Sequence, residues 1–286
     1  MNKNKLVIHL LAGIAIVAML FAGCRSGTLE YDLLYEGDRL VLNAFVFNRG
    51  VTARLTRSQH PQLPLPASRS LAVPGRVWLC DEAGFVIAEL DDRGNGDFEL
   101  QMPLSTGIGY RLKASSNGFE PVISDVVTIP EPANPLTVNF RGLDPEDDNN
   151  FLVDLLFTDV ADRKDIYTWS GRSLKNGRAK DNIMWYVYSE IVEQCGFYGS
   201  FPDDCFEGRA FQFDCYIERN KMPPHNDSLR IEFGTVQPEY QTYLKSIELT
   251  GDLENIFSEP RPVFSNVNGG YGIVLTKNVS YYDFKL

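Results

Sequence analysis

Phe98-Glu99-Leu100-Gln101-Met102, followed after a short gap by Tyr110-Arg111-Leu112-Lys113-Ala114, decides the fold class. In both stretches every second side chain is apolar and the residues between are polar. A period of two with one wet face is the pattern of a half-buried strand. Working outward, Val51, Ala53 and Leu55 alternate in the same way with Thr52, Arg54 and Thr56. Turn chemistry separates the strands: Asn48-Arg49-Gly50, Asp81-Glu82-Ala83-Gly84, Arg93-Gly94-Asn95-Gly96 and Asn117-Gly118. Short strands at this spacing predict a β-sandwich over residues 38–133. The Pro61–Pro74 stretch has four prolines and no period, and reads as a long loop.

Pro130-Glu131-Pro132 and Pro135 mark a boundary, and a second, mostly β domain is expected over 134–286. Leu152–Thr158, Ile183–Val192, Ala210–Glu218, Leu229–Phe233 and Val279–Leu286 read as strands. Asp144–Asn150 reads as an exposed acidic loop. One short helix is predicted from Pro238, a residue suited to a first turn, to Gly251, a residue suited to a stop. Tyr240, Leu244 and Ile247 fall on one stripe of it.

The N-terminus carries Lys3 and Lys5, an apolar run from Leu6 to Ala22, then Gly23-Cys24. That order is a charged region, an apolar region and a small-residue cleavage site. Leu20-Phe21-Ala22-Gly23-Cys24 resembles the lipobox of bacterial lipoproteins. The resemblance implies lipidation of Cys24, removal of residues 1–23, and a tether over 24–37. Several acyl chains on one residue anchor a protein stably to a membrane. The alternative is an uncleaved span, for which the run is about long enough, although no basic stop-transfer cluster follows it.

Removing residues 1–23 takes away two lysines and no acid, so the net charge moves from −11 to −13. That balance, with no Lys/Arg-rich run, excludes nucleic acid as a partner. The 18 Phe, 13 Tyr and 3 Trp supply a sizeable core.

Cys195 and Cys205 flank a loop-like stretch, and export permits disulfides. A bridge between them would contribute about 2.5–3 kcal/mol in the chain-entropy view; four cysteines nevertheless allow three pairings. Cys80 and Cys215 alternate in phase with strand residues and read as buried thiols. Trp169, Trp185, Tyr186, Tyr188, Phe197, Tyr198, Phe201 and Phe206 make the middle of the second domain aromatic. Tyr198 and Phe201 are the candidate binding surface, suited to a glycan, a peptide or a partner protein.

No catalytic, cofactor or metal site is expected. Asp91–Asp97 reads as a hairpin turn, because it lacks the downstream bidentate glutamate of a calcium loop. Gly107-Ile108-Gly109 lacks the third glycine of a dinucleotide site. Gly269-Gly270-Tyr271-Gly272 reads as a turn before a strand. There is no Gly-x-Ser-x-Gly and no His-Glu-x-x-His, and His60 and His225 alone survive processing.

The C-terminal half carries a family resemblance. Glu239-Tyr240-x-x-Tyr243-Leu244-x-Ser246, Phe257-Ser258-Glu259-Pro260, Val263-x-Ser265-Asn266-Val267 and Gly269-Gly270-Tyr271-Gly272-Ile273 together resemble the ending of a Bacteroidota lipoprotein family. That family is catalogued as domain of unknown function 4249. Leu40–Phe45, Ile129–Pro132 and Asp204-Cys205-Phe206-Glu207-Gly208 are similar to its earlier segments. The resemblance implies an N-terminal immunoglobulin- or transthyretin-like sandwich, a mostly β second domain and an outer-membrane anchor. It also implies an accessory, non-catalytic role beside a TonB-dependent uptake receptor. Arg25-Ser26-Gly27-Thr28 follows Cys24 where acidic residues mark many surface-exposed lipoproteins, so the periplasmic and surface faces both stay open. A structural or adhesive envelope protein is the alternative role; a glycan- or peptide-acting enzyme is the weaker one.

Overall fold

A computed structural model describes residues 35, 37–60, 63, 71–175, 178–183, 185–188, 200–218, 228–251 and 263–285. The chain is mostly β. In order, the elements are β1 (Leu40–Phe47), β2 (Gly50–Arg57), β3 (Arg76–Asp81), β4 (Val86–Glu89), β5 (Asp91–Gly94), β6 (Asp97–Gln101), β7 (Gly109–Ser115), β8 (Val122–Ser124) and β9 (Val127–Thr128). There follow β10 (Thr137–Leu143), β11 (Asn150–Thr158), β12 (Ile166–Lys175), β13 (Arg178–Ile183), β14 (Trp185–Tyr188), β15 (Ser200–Pro202), β16 (Ala210–Glu218) and β17 (Ser228–Val236). The helix α1 (Pro238–Gly251), β18 (Val267–Asn268) and β19 (Tyr271–Lys285) complete the chain.

One nine-stranded sheet runs through the molecule in the order β13-β12-β17-β19-β1-β2-β6-β5, with β15 beside β12. A six-stranded sheet (β18-β8-β7-β3-β4, with β9 on β7) packs on one half. Leu42, Val46, Leu55 and Phe98 meet Val77, Leu79, Leu112 and Val122 there to form the first core. A four-stranded sheet (β10-β11-β16-β14) packs on the other half. The second core is aromatic: Phe157 touches Tyr167, Phe201, Phe206, Phe211, Phe213 and Phe233, with ring centroids 4.9–6.5 Å apart. Such offset and edge contacts add to the apolar burial.

β19 joins the two sandwiches. It pairs parallel with β1 over Tyr271–Lys277 and antiparallel with β17 over Lys277–Lys285. Val274 lies in the first core. Tyr282 and Phe284, on the same face farther along, pack against the second. Apart from β18 and β19, residues up to Ile129 supply the first core and residues from Leu136 onward the second, and the last strand serves both. The proline linker crosses β19 between the cores, with its carbonyls held by side chains. Thr276 Oγ1 donates to Thr128 O at 2.8 Å, Asn278 Nδ2 to Pro130 O at 2.9 Å, and Thr235 Oγ1 to Glu131 O at 2.6 Å.

Two glycines allow β19 to lie against β1. A Cβ on Gly272, whose φ is +119°, would stand 2.1 Å from Leu42 O, and one on Gly270 would stand 2.3 Å from Leu40 O. A side chain at either position requires the backbone to move apart. The Gly269–Gly272 segment is accordingly the turn into the last strand. Asn95-Gly96 likewise closes the β5–β6 hairpin, with Asn95 and Gly96 both at positive φ.

Candidate functional site

The face of the nine-stranded sheet opposite the cores is crossed by α1, and a cleft of about 560 Å³ opens between them. Its floor is Phe45 of β1 with Ile273 and Leu275 of β19; its other wall is Tyr240, Tyr243 and Leu244 of α1. Strand alternation puts Phe45, Ile273 and Leu275 on this face, since Ala44 and Val274 between them point into the first core. The helix contributes the stripe expected of it, although Ile247 at its far end stays 41% exposed. Tyr240 packs on Phe45 with centroids 6.4 Å apart. Arg54–Asp97 (3.5 Å) and Arg93–Glu99 (3.2 Å) form the rim. These pairs are largely solvated and contribute little to stability, which leaves them available to a ligand. A concave, apolar site of this size with a few polar groups at its edge is the usual form of a small-ligand site.

A second polar cluster lies at the end of the aromatic core. Asp159, Asp203 and Glu207 bring three carboxylate oxygens within 4.8 Å of one another, an oxygen set of the kind a hard cation takes. Each is already engaged. Tyr167 Oη donates to Asp159 Oδ1, and Gly208 N donates to Asp159 Oδ2 at 2.7 Å. Asp165 N donates to Asp203 Oδ2 at 2.6 Å, and Asp162 N to Glu207 Oε1 at 2.8 Å. Lys164 Nζ lies 3.8 Å from Asp203 and 3.5 Å from Glu207. Burial and the nearby Asp159 charge push the Asp203 carboxyl above its ordinary value, against the Asp165 amide that lowers it. The cluster fastens the β11–β12 loop to the 203–208 turn. It gives a structural reason for the Phe206-Glu207-Gly208 sequence: Phe206 fills the core, and Gly208 turns at φ +67°.

Phe201 corrects one expectation. It is 1% exposed and pairs with Tyr167 through β15, so it belongs to the core and offers no binding surface. Trp169 and Phe206 are buried with it. Cys24, Cys195 and Tyr198 lie outside the described residues, so neither the lipid site nor a Cys195–Cys205 bridge is placed; Cys205 itself sits in a 3-10 turn over Asp203–Cys205. Cys80 and Cys215 are free and buried, as their strand phase predicts. The cleft was not foreseen as a site, although Tyr240, Tyr243, Leu244 and Ile273 all stand in the family-like segments. Among the described residues no helix is long and apolar enough to cross a membrane.

Two sandwiches sharing one sheet, with a helix-covered cleft on its outer face, define the class of protein. The family described as Domain of unknown function (DUF4249) matches over residues 27–282, and the chain belongs to that family. A search of curated proteins finds no match.

Proposed function

We propose that the protein is a lipid-anchored envelope binding protein that serves a TonB-dependent receptor in the outer membrane, without chemistry of its own. The observation that carries the binding reading is the cleft: aromatic and aliphatic walls from three separate chain segments, with charged pairs confined to the rim. The anchor rests on the Cys24 motif. The test is an affinity pull-down from native membranes in mild detergent. Recovery of a TonB-dependent receptor in comparable amount, lost in Leu244→Asp, supports the reading; recovery of the bait alone from both proteins overturns it.

One observation favours the adhesive alternative. The β3–β4 hairpin exposes Phe85 (75%), Val86 (57%) and Ile87 (44%) in succession, and an apolar patch of that kind marks contact surfaces. Loss of receptor recovery on Phe85→Ser rather than Leu244→Asp would transfer the role to the hairpin.

A further inference from the structure

The chain enters the first sandwich at Gly37, just before β1, and that end of the sandwich gathers exposed apolar side chains. Tyr271 opens β19 opposite Val41, with the Arg39 guanidinium 5.7 Å from the centre of its ring. Leu63 follows the end of β2: Ser58 N donates to Arg39 O, and Leu63 N donates to His60 O. The far end of α1 comes to the same level. Tyr240 packs on Phe45, and the cleft lining continues to Asn43, Ile273 and Leu244. Ile247 lies about 10 Å along the helix from Tyr240, and Val41 lies about 13 Å along β1 from Phe45. Phe264 N donates to Ser246 Oγ at 3.0 Å, which sets Val263 beside Ile247. These four side chains, Leu63, Ile247, Val263 and Tyr271, are 41–58% exposed.

The Phe85 hairpin lies at the opposite end. β18 pairs with β8, and β8 with Lys113 and Ala114 of β7. The next β7 residue, Ser115, pairs with Arg76 at the start of β3, and the Phe85 turn follows the end of β3. The sandwich thus has two apolar ends, and its attachment distinguishes them. Residues 24–36 alone join Cys24 to Gly37, a reach of at most about 45 Å. Groups beside the attachment point meet the anchoring surface at a higher effective concentration than groups a sandwich length away. An approach by the Phe85 turn requires the tether to run back along the sandwich, with a corresponding loss of freedom.

The side chains at the Gly37 end suit a bilayer. Tyrosine joins an apolar ring to a wet hydroxyl, the make-up of residues at a membrane interface. The arginine stacked on it is a partner for lipid phosphate. With a mature net charge of −13, anionic lipid exerts no general attraction on the protein, so contact rests on these apolar groups. We infer that the Gly37 end lies on the bilayer, with Leu63, Ile247, Val263 and Tyr271 in the lipid interface and the Phe85 hairpin facing away. This rests on the Cys24 anchor of the proposed function and adds the orientation of the protein on its membrane.

The test places the photo-crosslinking residue benzoylphenylalanine at position 63, 263 or 271, and for comparison at 85, in the full-length protein in native membranes. Lipid adducts, read by mass spectrometry, are expected at least about fivefold more from 63, 263 and 271 than from 85, as their nearness to the attachment point implies. Three positions guard against one variant that fails to fold. No lipid adduct from the three, adducts to protein alone, or an equal yield from 85 overturns the orientation. If the protein nevertheless stays in the membrane fraction through a high-salt wash, the anchor stands and only the orientation falls. Release of the wild type by that wash overturns both.

Discussion

Val279 and Asn48 exchange two hydrogen bonds across 231 residues of sequence: Val279 N donates to Asn48 Oδ1, and Asn48 Nδ2 donates to Val279 O, both at 3.2 Å. The β1–β19 ladder ends at Phe47–Lys277, and the Asn48 side chain continues it. Asn266 does the same on the opposite edge, where β17 has not yet begun to pair. Its carboxamide binds Val274 N and Val274 O, both at 2.8 Å. Two side chains therefore stand in for absent strands at the ends of staggered ladders. Asn266→Ala would leave both Val274 groups buried and unpaired, and should cost roughly 2–4 kcal/mol. Asn48→Ala, at a partly exposed site, should cost about 1 kcal/mol. Denaturant unfolding of the two variants checks the order.

Lys277 predicts a pH dependence. Burial lowers its pKa from 10.5 to about 8. Between those values the unfolded chain holds a proton that the folded chain has lost, so stability should rise with pH across that window. The full effect is on the order of 3 kcal/mol, and Glu232 and Arg172 are the charges that modulate it. Tyr240 and Tyr281, whose burial raises their pKa values, act in the opposite sense above about pH 10. The clean measurement is therefore the difference between wild type and Lys277→Met from pH 7 to 9.5. A flat difference would count against a buried charged amine.

Tyr167→Phe tests the polar knot. Tyr167 is fully buried, and its hydroxyl serves Asp159 and, at 3.1 Å, Asp165. Removing it leaves two buried carboxylates short of a donor at almost unchanged volume. A loss of roughly 1–3 kcal/mol is expected, read by denaturant midpoint. A neutral result would mean that the carboxylates are satisfied without it.

Cys80 and Cys215 should resist thiol reagents in the folded protein and react on unfolding. Both are 0% exposed, and burial raises the Cys80 and Cys215 thiols above their ordinary values. Only the thiolate is nucleophilic. Labelling followed by non-reducing peptide mapping tests this, and the same map shows whether Cys195 is linked to Cys205.

Strands with one wet face were legible in the sequence. Ala210–Glu218 was read at its observed limits, and Tyr110–Ala114 lies inside β7. The last strand was read only from Val279, because Ile273–Val279 is buried on both faces and so has no alternation to detect. β12 was missed although Tyr167 and Trp169 alternate with Thr168 and Ser170. Phe201 was placed on a surface because it lies in the loop-like stretch between Cys195 and Cys205; its partner Tyr167 lies far away in sequence and carries no local signal. The cleft was illegible for the same reason. Phe45, Tyr240 and Leu275 are brought together by a parallel pairing between the two ends of the described chain.

That pairing also sets when the protein becomes a protein. The strand completing both cores, β19, follows every other described element in the chain, and neither sandwich closes without it. A contact of such sequence separation folds slowly, because the long loop must be ordered before the contact can repay it. A chain cut short before residue 271 would present two unfinished sheets with bare edges, fit for proteolysis or aggregation but not for half a function. β19 is thus a completeness check, read by the fold itself.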